Sequence, residues 1–181
     1  MSGRFELAVP VNPADHNLGP SHAAVTIVEY GDFECPNCKQ AAPALKMLLE
    51  RFTGRVRLVW RQFPLEEVHP HALQAALASE AAAGQGKFWP MHDRLFDEQR
   101  HLDAAHLRRH AQSLELDLRR YDADMADTVY LQRVREDIEG AASGGVRGTP
   151  TFFVNGVIHD VSFGLQGLFE TVDAALAKER R

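Results

Sequence analysis

The chain has 181 residues, a length that predicts one domain, or one domain carrying an insertion, and that needs no disulfide or metal to hold a core. Hydrophobic residues make up 45% and charged residues 25%, which excludes a disordered chain, a collagen-like chain and a coiled-coil rod. The 25 Asp and Glu residues outnumber the 20 Lys and Arg residues, giving a net charge of −5, and this balance argues against a nucleic-acid partner.

The first 22 residues predict an irregular lead-in, with at most a short edge strand near residues 5–9. They show no sustained hydrophobic period. Residues 1–17 lack the apolar core of a secretory signal, and nowhere does the chain approach the ~18 consecutive apolar residues of a membrane helix. We therefore expect a cytoplasmic protein with no membrane insertion. An exported protein whose leader had been removed would have the same sequence.

A strand, a helix and a second strand follow the lead-in. The β-branched run at residues 23–30 predicts a buried strand that ends at Gly31. Helical spacing of apolar residues then predicts a helix from residue 36 to residue 52, which Pro43 should kink. Alternation over residues 55–63 predicts the second strand. Because a helix joins the two strands, we expect a parallel βαβ unit.

The next part of the chain, from residue 65 to residue 142, predicts helices almost throughout. The expected helices cover residues 71–83, residues 87–99, a segment from an Asp103 N-cap to about Leu114, and one long segment from Asp122 or Asp124 to about Ala142. This block contains no strand signal, so it predicts an all-helical insertion.

The last part of the chain predicts a hairpin and a helix. Asn155-Gly156 between two apolar runs is a strong hairpin signal, and a helix is expected over residues 165–178. The whole pattern predicts an α/β fold with a mixed sheet. We expect a discontinuous domain made of residues 1–64 and 143–181, and a helical insertion domain over residues 65–142.

Two cysteines, Cys35 and Cys38, stand where the first strand passes into the helix. Pro36 suits the first helical position, where its missing N–H is not needed. Cys35 would therefore lie at a helix N-terminus, where unpaired N–H groups and partial positive charge stabilise a thiolate and lower its pKa. Cys38 lies one turn further on the same face. It could attack a mixed disulfide formed at Cys35 and release the partner.

A zinc site is the main alternative for such a pair of cysteines. Zinc takes four ligands, and the chain has no second cysteine pair. His106 and His110 have helical spacing, but we expect them to be exposed on a polar face. Two merely packed thiols are a further alternative, which Pro36 at a helix start argues against. We expect no metal and no cofactor.

The segment Val28 to Cys38, VEYGDFECPNC, resembles the active-site segment of thioredoxin-fold proteins, and more closely that of bacterial thiol–disulfide oxidoreductases of the DsbA type. Pro43 stands where the fold commonly kinks this helix, and Gly148-Thr149-Pro150 resembles the family's cis-proline loop. The long separation of Cys38 from Pro150 suits the helical insertion of the DsbA type. The resemblance covers about residue 25 onward and implies a thioredoxin-like fold with a large all-helical insertion.

The resemblance also implies roles for particular residues. Thr149 and Pro150 would lie beside Cys35, where the backbone of the residue before the proline binds an extended substrate. We expect Pro36 and Asn37 to complete that substrate-binding surface. An ordinary loop proline is the alternative for Pro150.

Glu29 is the one carboxylate in an otherwise apolar strand. Burial would raise its pKa, so that it could move protons near neutral pH. The resemblance implies that this position lies beneath the active site, and Glu29 is therefore expected to accept the proton of Cys38. A glutamate that reaches solvent from the strand edge is the alternative.

The expected function is disulfide exchange with a cysteine-containing protein or a small thiol, together with a redox partner of unknown identity. Where the family's strongest oxidants have Pro-His between the cysteines, this chain has Pro36-Asn37, which predicts a less oxidising couple. Asp32 and Glu34 should act in the same direction, since nearby negative charge disfavours a thiolate. A cytoplasmic location would favour a reductase or isomerase.

Two other functions share this fold. The first is a redox-sensing or client-binding protein without appreciable turnover. The second is an isomerase acting on glutathione conjugates, which the second cysteine disfavours.

Overall fold

A computed structural model describes residues 6–162 and 164–179 of the chain. Its strands are β1 His16–Leu18, β2 Val25–Gly31, β3 Val56–Gln62, β4 Thr151–Val154 and β5 Val157–His159. Its helices are α1 Pro36–Arg51, α2 Ala72–Ala83, α3 Phe88–Asp97, α4 Ala104–Ser113, α5 Leu118–Ala126, α6 Leu131–Ser143 and α7 Gln166–Lys178. Helices α2–α6 all lie between β3 and β4 in the chain.

The five strands form one mixed sheet in the order β1-β3-β2-β4-β5. Strands β2 and β3 are parallel neighbours joined by α1, which confirms the βαβ unit. The hairpin β4–β5 turns at Asn155-Gly156, and β4 pairs antiparallel with β2. The central position of β2 places the end of this strand, and the cysteines that follow it, next to the start of β4.

The lead-in differs from the prediction. Three residues that showed no strand period form β1, which pairs antiparallel with the edge of β3 through His16 and Trp60. In place of the edge strand expected at residues 5–9, the described residues show an isolated bridge between Glu6 and Val157. Residues 1–5 lie outside the described part of the chain.

The single long helix expected from Asp122 or Asp124 to Ala142 is wrong. Asp117 caps α5 by accepting a hydrogen bond from Arg120 N, so this helix starts earlier than predicted and ends at Ala126. Thr128 then adopts a left-handed backbone with φ 48°, which a helix cannot contain. The predicted Asp103 cap is confirmed, because its carboxylate accepts hydrogen bonds from two backbone N–H groups in the first turn of α4.

Strand β2 is buried on both faces, since helices cover the two sides of the sheet. Val25 and Ile27 pack with apolar residues of α1 and α7, while Val28 and Tyr30 pack on the opposite side against α6. A third cluster joins Cys35 and Cys38 to apolar residues of α2–α5. None of the described helices has both the length and the apolar character that a bilayer crossing requires.

Candidate active site

Cys35 is the N-cap residue of α1. Its backbone is extended, with φ −74° and ψ 122°, and Pro36 follows in the first turn. The Cys35 N–H donates to Asp32 O at 3.1 Å, and the Cys35 carbonyl accepts from Lys39 N at 3.1 Å. The side chain therefore stands at the end of the helix where backbone N–H groups have no helical acceptor.

These surroundings lower the pKa of Cys35 to about 5. The largest cause is the hydrogen bond from the Cys38 thiol, and the Thr149 side chain and the backbone N–H groups of Cys38 and Asn37 add to it. Burial opposes them by disfavouring the charged form. At neutral pH Cys35 is therefore a thiolate.

Cys38 has the opposite character. It is completely buried, and neither cysteine is in a disulfide. Burial raises the pKa of Cys38 first of all, and the hydrogen bond to Cys35 and the charges of Glu29 and Cys35 raise it further. The pair therefore consists of one ionised sulfur and one protonated sulfur, in contact at the start of the helix.

Glu29 lies in the middle of the sheet, opposite Trp60 of β3 and Phe152 of β4. Its side chain is 1% exposed, so the alternative of a glutamate that reaches solvent is wrong. Burial raises the pKa of Glu29 to about 8, and the negative charge of Cys35 contributes to the rise. The carboxyl is thus poised to gain or lose a proton near neutral pH.

The expected effect of Asp32 and Glu34 on the thiolate stays a prediction, because both carboxylates have other partners in the structure. Asp32 is buried, and its carboxylate accepts hydrogen bonds from Glu34 N at 2.7 Å and Leu65 N at 2.9 Å and pairs with His69 Nδ1 at 2.7 Å. Glu34 accepts from His71 N at 2.7 Å. Both carboxylates are held by other donors and so shape the loops around Cys35, and neither is among the largest causes of the lowered pKa of Cys35.

The loop before β4 brings Thr149 to the nucleophile. The Cys35 Sγ lies 3.4 Å from Thr149 O, and the Thr149–Pro150 peptide bond is cis. A groove of about 660 Å³ opens beside this contact, lined by Asn37, Thr149 and Pro150 together with residues of α1 and of the segment after β5. Pro36 is exposed at the helix start and lies outside the groove lining.

The two histidines considered for zinc contact different partners in the structure. Among the described residues no group of three or more His, Cys, Asp or Glu side chains could hold a metal ion. His106 pairs with Asp103 at its own helix start. His110, expected to be exposed, is buried, and its Nε2 lies 2.8 Å from His101 O. The reason is that this face of α4 packs against the loop that precedes it.

Gln99 is a site residue that the sequence did not reveal. It lies in the turn after α3, and its side-chain amide donates to Phe33 O at 2.9 Å and to Cys35 O at 2.8 Å. In the sequence Gln99 is only a polar residue at the end of a helical pattern. No motif or spacing connects it with these two residues, which stand far earlier in the chain.

A family model described as thioredoxin matches residues 11–174 of the chain. A solved thioredoxin-like oxidoreductase from Silicibacter pomeroyi superposes with a TM-score of 0.78 and 26% sequence identity, over 93% of this chain and 94% of that one. The alpha-DsbA1 of Wolbachia pipientis superposes with a TM-score of 0.82 and 22% identity, over 97% and 96%. These likenesses confirm the expected α/β thioredoxin-like fold.

A curated relative from Salinispora arenicola carries the name Na(+)/H(+) antiporter NhaA 1. It is 50% identical over 179 residues, which are 98% of this chain and 27% of the relative. The chain thus spans about a quarter of the length of the curated relatives that it matches.

Proposed function

The chain belongs to the thioredoxin family, with a fold like that of DsbA-type proteins, and we propose that it catalyses thiol–disulfide exchange through Cys35 and Cys38. The observation that carries the proposal is the asymmetry of the pair. A thiolate at a helix N-terminus, 5% exposed, accepts a hydrogen bond from a completely buried, protonated thiol. A purely structural pair of thiols does not need one ionised and one protonated sulfur. Sequential exchange does, because one sulfur must attack first and the other must wait.

In the reducing direction, the Cys35 thiolate attacks one sulfur of a client disulfide. A bond forms between Cys35 Sγ and that sulfur, the client S–S bond breaks, and the other client sulfur leaves as a thiolate. Cys38 then loses its proton and attacks Cys35 Sγ, which releases the second client thiolate and leaves a Cys35–Cys38 disulfide. The client gains two electrons and the pair loses two. A redox partner must return them, and the reverse sequence oxidises a client dithiol.

Glu29 is proposed to accept the Cys38 proton during the second step. In the mixed disulfide Cys35 carries no charge, so one of the two causes that raise the pKa of Glu29 is removed. The same loss of charge and hydrogen bond makes Cys38 easier to ionise. The carboxylate form of Glu29 is therefore favoured at the stage when a base is needed.

The client is proposed to be a cysteine-containing protein segment or a small thiol that lies in the groove beside Cys35. The Thr149 backbone is close enough to Cys35 Sγ to pair with an extended client chain next to its reacting sulfur. Pro36 and Asn37 would contact the client from the helix side. We propose reduction or isomerisation as the direction, which suits the predicted cytoplasmic location.

The test separates attack from resolution. We expect the Cys38→Ser variant to accumulate mixed disulfides with a disulfide-containing client protein. In this variant Cys35 still attacks the client disulfide, and no second thiol resolves the product. The Cys35→Ser variant should trap none, and the native protein should turn over in an insulin-reduction assay. Equal trapping by both variants would show that the nucleophile is misassigned. Trapping without any turnover by the native protein would favour the redox-sensing or client-binding alternative.

A second proposal concerns the setting in which the exchange occurs. The match to the antiporter relative covers nearly all of this chain at 50% identity, which supports a working association between this thioredoxin-family unit and a Na⁺/H⁺ antiporter. Exchange at Cys35 would then couple the antiporter to the thiol state of its surroundings.

This association can be tested by replacing the matching segment of the Salinispora arenicola protein with the present chain. In membrane vesicles, we expect sodium-driven proton movement by the chimera to respond to dithiothreitol. A chimera with serine at both cysteine positions should not respond. If dithiothreitol leaves proton movement unchanged in the first chimera as well, redox coupling to the antiporter is rejected.

A further inference from the structure

Gln99 connects the turn that carries Cys35 to the end of α3. Both hydrogens of its side-chain amide are used, one on Phe33 O at 2.9 Å and one on Cys35 O at 2.8 Å. The Phe33 carbonyl lies within the short turn in which Cys35 N donates to Asp32 O, and the Cys35 carbonyl lies at its end. One side chain thus holds two points of the turn between β2 and α1, its middle and its end.

The position of Gln99 is itself rigid. Helix α3 packs against the same turn through Phe96, whose ring lies 5.2 Å from the Phe33 ring, and Phe33 stacks on Trp60 at 4.8 Å. Phe33, Trp60 and Phe96 are all buried. The polar contact of Gln99 is therefore added to an apolar contact between the same two segments, and neither segment can shift without breaking both.

The Cys35 carbonyl receives two donors, Gln99 Nε2 and the first intrahelical donor Lys39 N. Without Gln99 the Phe33 carbonyl would lose its side-chain donor beside a buried ring, a situation that costs free energy unless the turn moves to find another donor. A moved turn would carry the Cys35 side chain away from Thr149 and from the N–H groups of the first turn of α1.

We propose that Gln99 is a positioning residue for thiol–disulfide exchange, which ties the Cys35 turn to α3 and so holds Cys35 Sγ over the first turn of α1. This inference rests on the proposed function for its biological meaning. The geometry on which it depends is that of the free thiol, and it can be measured without any client.

The test is the pH dependence of alkylation of Cys35 by iodoacetamide in the reduced protein, with thiolate absorbance as a second readout. We expect Gln99→Met, which has a similar length and no donor, to move the midpoint upward by about one pH unit. Below the midpoint this shift means up to about a tenfold smaller thiolate fraction. A purely structural role would lower Tm and leave the midpoint in place.

Gln85 offers a matched control. Its amide also bridges backbone groups, donating to Asp117 O at 3.1 Å and accepting from Asp117 N at 2.8 Å, between α2 and the start of α5. We expect Gln85→Met to lower Tm by an amount similar to Gln99→Met and to leave the Cys35 midpoint unchanged. A wild-type midpoint in Gln99→Met, or an equal shift in Gln85→Met, would overturn the proposal.

A shorter amide keeps the test decisive if Gln99→Met does not fold. Gln99→Asn retains the donor but is one methylene too short to reach both carbonyls, so we expect a smaller upward shift in the same direction. An unshifted midpoint in a folded Gln99→Asn variant would also reject the role. If the native protein shows no insulin turnover while Gln99→Met shifts the midpoint, the proposed function fails and the positioning role stands.

Discussion

Cys35 and Cys38 have the same chemistry and opposite surroundings, and the difference comes from a single helical turn. At the N-cap, Cys35 meets backbone and side-chain donors, which favour its thiolate. Three residues later Cys38 is inside the protein, where burial favours the thiol. The reactivity of the pair is therefore set by its position relative to the helix start, and residue type alone would not reveal which sulfur attacks.

Glu29 should make the stability of the folded protein depend on pH. Its pKa is raised from 4.5 to about 8 in the folded protein, so between these values the folded protein keeps a proton that the unfolded chain has lost. The free energy of unfolding therefore falls progressively as pH rises from about 4.5 to about 8. The amide introduced by Glu29→Gln does not titrate, so we expect the Tm of this variant to rise relative to the native protein across the window and the difference to level off on either side. Across the whole window, the free energy of unfolding of the native protein should fall relative to that of the variant by on the order of 5 kcal/mol.

The same variant should slow the second step of exchange by about a hundredfold, the lower end for loss of a general base, as measured by release of a trapped client. Asp137 provides a control, because it is another buried carboxyl whose pKa burial raises, to about 6. For Asp137→Asn, the rise of Tm relative to the native protein should level off near pH 6. The rate at which this variant releases a trapped client should be unchanged. A Glu29→Gln protein with native release kinetics would assign Glu29 a role in packing only.

At the scale of the elements, the sequence was informative wherever a local pattern determines the structure. Alternation and β-branching predicted β2 and β3, Asn155-Gly156 predicted the hairpin, and Asp103 predicted the start of α4. Each of these signals is read within a few neighbouring residues. The position of Cys35 at the start of α1 follows from the same kind of signal, because Pro36 marks the first helical turn.

The predictions failed where structure depends on distant contacts. Strand β1 has no pattern of its own and exists because the edge of β3 offers it hydrogen bonds. The division between α5 and α6 depends on a left-handed residue, Thr128, which is not a residue type that predicts such a backbone. The donors to Asp32 and the contacts of Gln99 likewise join segments that only the folded chain brings together.

For the whole molecule, the cluster around the cysteines is continuous with the helices that follow β3. Phe33, Cys35, Cys38 and Trp60 share one buried cluster with apolar residues of α2–α5. The division into residues 1–64 with 143–181 and residues 65–142 as separate domains stays a prediction. The shared cluster implies that movement of the helices relative to the sheet would be felt at the nucleophile.

The reduction potential of the Cys35–Cys38 pair depends on how strongly the folded protein stabilises the Cys35 thiolate. In the reduced protein the pKa of Cys35 falls from 9.0 to about 5, between the values of ~7 for thioredoxin and ~3.5 for DsbA. A thiolate stabilises only the reduced form, so we expect a potential between the ~−270 mV of thioredoxin and the ~−120 mV of DsbA, measured by equilibration with glutathione.

The pH dependence has a definite sign. Because the folded pKa is depressed, the stabilisation of the reduced protein is fully present above pH 9 and is lost as pH falls toward 5. The disulfide form has no such titration. The Tm of the reduced form relative to the oxidised form should therefore rise between pH 5 and pH 9.

Asn37→His would add a titrating group beside the thiolate, and we expect it to make the couple more oxidising. A native potential of ~−120 mV, or an Asn37→His variant that is less oxidising, would mean that the residues between the cysteines do not set the redox balance of this protein.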